Sequence, residues 1–176
     1  IYGFIKYNPT ITLRLPKIDT ATDNIKHLYT NEEVDLIINR FKDNGVFICS
    51  FLTSYYTGMR TGEVFALTWE DIDFDNNIIN INHSIYDKNK DSKGRWYLGL
   101  PKTRSGIRKV YLSETLKQAL LNYKKRQDFL KKIYGNCYKY YKLEQEFNDY
   151  GRPIDNRVIL NNSNSLSINF IFTKDD

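Results

Sequence analysis

Residues 57–73 of the chain read TGMRTGEVFALTWEDID, and this stretch decides the fold. Gly58 predicts the end of one helix, because glycine accepts a left-handed cap without steric cost. The apolar spacing that follows predicts a second helix over residues 61–68. Arg60 therefore stands in a tight turn between two helices, and such a turn fixes the direction of its side chain.

A second basic stretch follows further along the chain, where residues 101–109 read PKTRSGIRK. The apolar and β-branched residues at 96–100 and 107–112 predict a hairpin whose turn region carries Lys102 and Arg104. An arginine on one turn and a lysine on another are able to converge on a single phosphate group.

Arg60 is the first candidate for chemistry. A guanidinium is permanently charged and presents a rigid fork of donors that matches two phosphate oxygens. Glu63 lies three residues further on, on the same helical face, where its carboxylate can orient that guanidinium. The alternative is a structural role for both residues, as a surface ion pair whose carboxylate also favours the positive end of the helix dipole.

Lys102 is the second candidate. An ammonium group is a mobile point charge that can donate a proton to a leaving oxygen. The neighbouring Arg104, Arg108 and Lys109 suit contacts with backbone phosphates, which supply affinity rather than sequence recognition. The alternative for Lys102 is an ordinary solvated turn.

The composition fits one medium-sized folded domain with an anionic partner. Of the 176 residues, 41% are hydrophobic, and the formal net charge of +5 suits a polyanion. No apolar run reaches membrane length and no signal pattern begins the chain, so we expect a cytoplasmic protein. Cys49 and Cys137 lack CxxC spacing, and His27 and His83 lack ligand or triad spacing, so we expect no disulfide, metal or cofactor.

Helix and strand signals predict an α+β fold, mostly helical, with a small antiparallel three-stranded sheet carrying Lys102 at its edge. Thr30 with Glu33 forms a capping box that starts a helix, and Ser113 caps a long helix that ends near Gly135. Further predicted elements are a buried helix at 46–56, a strand at 78–81, a polar loop at 84–95, a helix at 142–147, and short strands at 158–160 and 168–172.

Two units are expected along the chain. Pro9 and Pro16 break regular structure, and the polar residues 19–24 resemble a linker. Residues 1–28 are therefore predicted to end a preceding domain, and residues 29–176 to form the N-terminal part of the main domain, with the chain stopping partway through it.

The two basic stretches together resemble the tyrosine recombinases of the phage-integrase family. Residues 57–73 are similar to the first arginine box of that family, and residues 102–112 to its lysine-bearing β-hairpin. The resemblance covers most of residues 1–130 and looks closest to the integrases of Gram-positive conjugative transposons. It implies a recombinase catalytic domain, preceded within residues 1–28 by the end of a core-binding domain.

The resemblance also implies roles for three residues. Arg60 would clamp the scissile phosphate and stabilise its transition state, and Lys102 would protonate the leaving 5′-oxygen. Glu63 would orient these catalytic groups without contacting the phosphate itself. The reaction of the family breaks and rejoins double-stranded DNA through a 3′-phosphotyrosine and needs neither metal nor nucleotide. The full-length protein is expected to act in a tetrameric synaptic complex on DNA.

The resemblance stops before the second box of the family. No histidine follows His83, so the expected His-x-x-Arg box, the further His or Trp and the nucleophilic Tyr are not found in these 176 residues. We therefore expect a part of an integrase that does not cleave DNA alone. Two alternatives stay open from the sequence: a non-catalytic DNA-binding module on the same scaffold, and a type IB topoisomerase-like enzyme.

Overall fold

The computed structural model describes residues 28–88, 95–161 and 166–173. Within these ranges four α-helices pack with two antiparallel sheets, which confirms the predicted α+β class. The expectation that residues 1–28 end a preceding domain lies outside the described residues, apart from Leu28, which is exposed.

Two helices open the described chain, and local signals set their ends. Helix α1, Asn31–Phe41, begins at Thr30: the Glu33 amide donates to the Thr30 hydroxyl at 3.3 Å, and the Thr30 amide donates to the Glu33 carboxylate at 2.9 Å. Helix α2, Gly45–Thr57, ends at Gly58, whose φ of +65° is left-handed. The predicted capping box and glycine cap are both confirmed.

The third helix is shorter than the sequence predicts. Helix α3 spans only Thr61–Phe65, because the Thr68 amide donates to the Asp71 carboxylate at 3.0 Å and starts a separate 3-10 turn, Trp69–Asp71. Helix α4, Glu114–Tyr134, begins and ends as predicted. None of the helices in the described part of the chain has the length and apolar character needed to cross a bilayer.

The apolar helix α2, which the sequence predicts as buried, contributes only part of its surface to the core. Cys49 and Thr53 face the core, and the Cys49 thiol donates to the Ala119 carbonyl of α4 at 3.6 Å. Phe47 and Phe51 form an outer stripe, with ring centroids 6.1 Å apart. The aromatic content made the whole segment hydrophobic, but Tyr55 and Tyr56 near its end are exposed.

The first sheet has three strands and is the small antiparallel sheet that the sequence predicts. Its order is β1-β2-β5, and its edge strand β5 follows the segment with Lys102. Ile81 pairs with Arg108 at the end of that ladder. The strands are β1, Ile72–Asp73; β2, Ile78–Ile81; and β5, Arg108–Tyr111.

A second sheet, which the sequence did not predict, contains four antiparallel strands in the order β3-β4-β7-β6. Its longest strand pairing joins β6 to β7 and has one irregularity next to Phe147. The predicted strand at 158–160 lies within β7. The strands are β3, Ser84–Asp87; β4, Trp96–Gly99; β6, Tyr140–Phe147; and β7, Pro153–Asn161.

The predicted hairpin of residues 96–100 with 107–112 is wrong. Strand β4 pairs with β3 and β7, whereas β5 pairs with β2 in the other sheet. The connection is too long for a tight hairpin and contains Pro101 and a 3-10 turn, Arg104–Gly106, so its two strands find different partners.

Three further predictions are corrected by strand pairing. The segment predicted as a polar loop at 84–95 begins with β3, and the predicted helix at 142–147 is part of β6. Residues 168–172 form only isolated bridges, one between Thr68 and Phe170 and one between Tyr141 and Ile168. In the first two cases, pairing with a neighbouring strand overrides weak local preference.

Gln127 is a buried polar side chain that joins α4 to the last described segment. Its Oε1 accepts from the Trp69 indole Nε1 at 2.7 Å, and its Nε2 donates to the carbonyls of Phe170 and Ile171 at 3.3 and 3.2 Å. The amide thus satisfies three groups that water cannot reach. Around it the fully buried core side chains include Ile79, Ile81, Leu112, Leu116, Leu120 and Ile171.

We predict that Gln127→Leu lowers the free energy of unfolding by about 2–4 kcal/mol, because it leaves buried polar groups without partners. Urea denaturation of this chain measures the change. The matched control is Gln118→Leu on the exposed face of the same helix, where the amide donates to the Glu114 carboxylate at 2.7 Å; its effect should stay within about 0.5 kcal/mol. Equal losses in the two variants would contradict a special role for Gln127.

Candidate active site

The turn before α3 holds the backbone of Arg60. Gly58 reverses the chain, the Ser54 hydroxyl donates to the Met59 carbonyl at 3.2 Å, and Met59 is buried. Arg60 is then extended, with φ of −69° and ψ of 150°, and caps α3. Its side chain is 79% exposed, so a fixed backbone presents a guanidinium to solvent.

Glu63 is the buried centre of the site, with a side chain only 3% exposed. Its carboxylate accepts from the Arg60 backbone amide at 3.0 Å and from Arg60 Nη1 at 3.1 Å. It also accepts from Arg108 Nη1 at 3.2 Å and Arg108 Nη2 at 2.8 Å. The hydrogen bonds from Arg108, with those from Arg60, lower the pKa of the Glu63 carboxyl to about 2.

Gly62 allows α3 to pack directly on the second sheet. A Cβ atom at this position would lie 2.7 Å from both the Ile85 carbonyl oxygen and the Ser84 hydroxyl oxygen. Because one of these atoms is backbone in β3, a side chain would have to push the helix away. The glycine between Arg60 and Glu63 is therefore required by close approach.

The segment with Lys102, residues 100–107, is a closed turn between β4 and β5, and we call it the Lys102 turn. The Gly106 amide donates to the Thr103 carbonyl at 2.9 Å, and the hydroxyl oxygens of Thr103 and Ser105 lie 3.0 Å apart. A Cβ atom on Gly106 would lie 2.5 Å from Cβ of Pro101, so the two ends of the turn touch. Lys102 itself is exposed on this turn.

Three of the predicted site residues form one hydrogen-bonded cluster. Arg60, Glu63 and Arg108 are joined by direct hydrogen bonds, and Arg108 Nη1 also donates to the Gly106 carbonyl at 3.1 Å, which links this cluster to the segment with Lys102. Lys109 is exposed on the opposite face of β5. The backbone of Arg104 begins the 3-10 turn, and its side chain lies outside the described part of the structure.

Sequence reasoning missed the pairing of Arg108 with Glu63, because it placed Arg108 on DNA phosphate. The side chain of Arg108 is 29% exposed and its guanidinium lies against a buried carboxylate. The sequence signal that could have found it is strand alternation, which places Arg108 on the same face of β5 as Val110 and on the opposite face from Lys109. The roles on DNA predicted for Arg60, Lys102, Glu63, Arg104, Arg108 and Lys109 stay predictions.

A comparison with known proteins identifies the class to which this fold and site belong. The phage integrase family matches residues 22–147, and the chain belongs to this family. That match includes the Arg60 turn, the segment with Lys102 and the first sheet.

Particular relatives include a bacterial tyrosine recombinase and the transposase of a transposon. The "Tyrosine recombinase XerC-like" protein of Caldanaerobacter subterraneus subsp. tengcongensis is 26% identical over 144 residues, which are 77% of this chain and 37% of that protein. The "Transposase from transposon Tn916" of Enterococcus faecalis is 40% identical over 63 residues, which are 36% of this chain and 15% of that protein. The chain therefore spans well under half the length of these relatives.

A solved structure supports the same fold. The integrase of transposon Tn1549, solved in complex with transposon right end DNA, superposes with a TM-score of 0.52 at 25% sequence identity. The match covers 70% of this chain and 39% of that chain. The fold of the described residues is thus that of an integrase.

We predict that Glu63→Gln destabilises this chain in a pH-dependent way. The folded pKa of about 2 lies below the ordinary value of 4.5, so the charged carboxylate contributes stability above pH 4.5 that is lost as the pH falls towards 2. The wild type should exceed Glu63→Gln by about 3 kcal/mol at pH 7, and this difference should shrink below pH 4.5. Urea denaturation at several pH values measures it.

The control for this experiment is Glu144→Gln, which removes an exposed carboxylate from β6. Its difference from the wild type should be small at every pH. A Glu63→Gln difference that is independent of pH would show that the carboxylate is not held in its charged form by the two arginines.

Proposed function

We propose that this chain is part of the catalytic domain of a site-specific tyrosine recombinase that cleaves and rejoins double-stranded DNA. The observation that carries the proposal is the state of Arg60. Its backbone is fixed by a turn and its Nη1 by buried Glu63, yet most of the side chain faces solvent. Glu63 holds the Arg60 guanidinium in place, and the remaining N–H donors of this guanidinium are available to an external anion.

The chemistry requires Arg60 and Lys102 to act at one phosphodiester. A tyrosine hydroxyl that these 176 residues do not supply gives its proton to a base and attacks phosphorus, the P–O5′ bond breaks, and a 3′-phosphotyrosine forms. Arg60 stabilises the charge that develops on the non-bridging oxygens, and the ammonium of Lys102 gives its proton to the departing 5′-oxygen. The bond energy is conserved in the phosphotyrosine, so rejoining is the reverse reaction, without metal or nucleotide.

Duplex DNA is the proposed partner. The Tn1549 integrase that resembles this chain was solved on DNA, and the chain has a net charge of +5. Lys109 and Arg104, beside the Lys102 turn, are the proposed contacts to backbone phosphates. In the complete protein we expect a tetrameric complex on two DNA sites, acting in the cytoplasm where that DNA is.

We also propose that these 176 residues alone do not cleave DNA, because they contain no His-x-x-Arg box after His83. Incubation of this chain with duplex DNA, followed by a denaturing gel, tests the proposal. The expected result is reversible binding with steep salt dependence and no covalent adduct. An adduct would mean that one of the tyrosines of this chain is a nucleophile.

We predict that Arg60→Ala in a recombinase that carries this domain together with its nucleophile abolishes strand cleavage, because the transition-state charge loses its clamp. Affinity for duplex DNA should stay within a few fold, since other basic groups supply most of the phosphate contacts. A cleavage assay with a matched binding titration measures both. Retained recombination in the variant would contradict the assignment of Arg60.

We predict that Lys102→Ala slows cleavage by about 10²–10⁴-fold, the usual scale for loss of a general acid. The control is Lys42→Ala, an exposed lysine that follows α1 and lies far from this turn in sequence, which should cleave at the wild-type rate. A wild-type rate in Lys102→Ala would leave this domain with a DNA-binding role at the Lys102 turn and no role there in proton transfer.

A further inference from the structure

We propose that Arg108 is a positioning residue that fixes the Lys102 turn to the Arg60 turn, and that it does not contact backbone phosphate. The inference rests on the proposed function, and it replaces the role that the sequence suggested for Arg108. Three observations carry it: the use of the guanidinium fork, the link to Gly106, and the sharing of Glu63 with Arg60.

Both Nη atoms of Arg108 are bonded to protein. Its Nη1 donates to Glu63 Oε1 at 3.2 Å and to the Gly106 carbonyl at 3.1 Å, and its Nη2 donates to Glu63 Oε2 at 2.8 Å. A paired, planar fork of this kind is what arginine provides and lysine does not. A phosphate on DNA would have to compete with a carboxylate that is almost fully buried.

The contact with Gly106 carries this constraint to Lys102. Gly106 closes the turn through the hydrogen bond from its amide to the Thr103 carbonyl and through its close approach to Pro101. Arg108 therefore holds the last residue of a closed turn whose opposite side carries Lys102. Loss of the bond from Arg108 releases the turn from α3 while leaving the charge of Lys102 intact.

Sharing of Glu63 has a consequence for Arg60. The two oxygens of the carboxylate are both occupied by Arg108, and Arg60 uses only Nη1 at 3.1 Å in the described structure. Without Arg108, Glu63 is the nearest acceptor for the whole guanidinium of Arg60, and a bidentate pair between them is favoured. Arg108 thus keeps part of the Arg60 fork free for a phosphate.

The first arm of the test measures the salt dependence of binding between this chain and a mixed-sequence duplex. The logarithm of the binding constant falls with the logarithm of salt concentration by about 0.9 for each phosphate contact. In an Arg60→Ala background, where no Arg60 contact is left to lose, Arg108→Gln should leave that slope unchanged, and Lys109→Gln, one residue along the same strand, should lower it by about 0.9. A slope in Arg108→Gln that falls by the same amount would overturn the proposal.

The second arm uses Arg108→Lys, which keeps the charge and removes the fork. Amide hydrogen exchange should become faster at Gly106, whose N–H is bonded to the Thr103 carbonyl, with core amides such as Ile79 unchanged. Lys109→Arg is the matched control and should change neither. Unchanged exchange at Gly106 would overturn the proposal, and faster exchange at every amide would show that Arg108 serves global stability only. Because this arm needs no DNA, it decides the inference even if Arg108→Gln does not fold.

The third arm separates this inference from the proposed function. In a recombinase with its nucleophile, Arg108→Lys should lower the cleavage rate of bound DNA by about 10²-fold, the cost of a misplaced catalytic group, with affinity within a few fold. Replacement of the bridging 5′-oxygen by sulfur, whose thiolate leaves without protonation, should recover at least a tenth of the wild-type rate. No recovery would overturn the link from Arg108 to Lys102. Absence of duplex binding by the wild-type chain would instead overturn the proposed function.

Discussion

The burial of the Glu63 carboxylate is the constraint on which the site depends. A charge that is removed from water must be compensated by hydrogen bonds and opposite charge, or it will take up a proton. Arg60 and Arg108 supply that compensation from two different parts of the chain, the turn before α3 and the strand β5. Since α3 rests on the second sheet through Gly62 and β5 belongs to the first, this one carboxylate ties the two sheets together where the site lies.

A second set of bonds holds the other end of the same region. The Trp69 amide donates to the Asn169 carbonyl at 3.0 Å, and the Ile171 amide donates to the Leu67 carbonyl at 2.9 Å. Gln127 of α4 then binds both segments of this contact, through the Trp69 indole and the Phe170 carbonyl. The short helix that follows Arg60 is therefore held at its start by Glu63 and just beyond its end by the last described segment. Such support on both sides is what keeps a functional side chain close to one orientation.

The features that the sequence predicted are those encoded within a few residues. The capping box of Thr30 and Glu33, the left-handed Gly58 and the start of α4 at Ser113 each depend on neighbours three or four positions away. Residue chemistry and turn signals singled out Arg60 and Lys102, and the family resemblance added their roles. The second sheet, the strand β6 and the partner of Arg108 were missed, because each depends on contact between segments far apart in the chain. Alternation along β6 is weak, and its pairing with β7 decides its conformation.

The charges of the cluster explain how Arg108, whose charge is neutralised by Glu63, coexists with Arg60, whose charge is available to an anion. Two guanidinium groups meet one carboxylate, so the cluster keeps one positive charge, and Lys102 on the attached turn adds a second. Arg108 donates to both carboxylate oxygens and is partly withdrawn from solvent, whereas Arg60 is mostly exposed. The surplus charge therefore lies on the residue that faces outward. Its orientation is set when the chain folds. Under the proposed function, little reorganisation is then left when a phosphate binds, which is the condition for electrostatic stabilisation of a transition state.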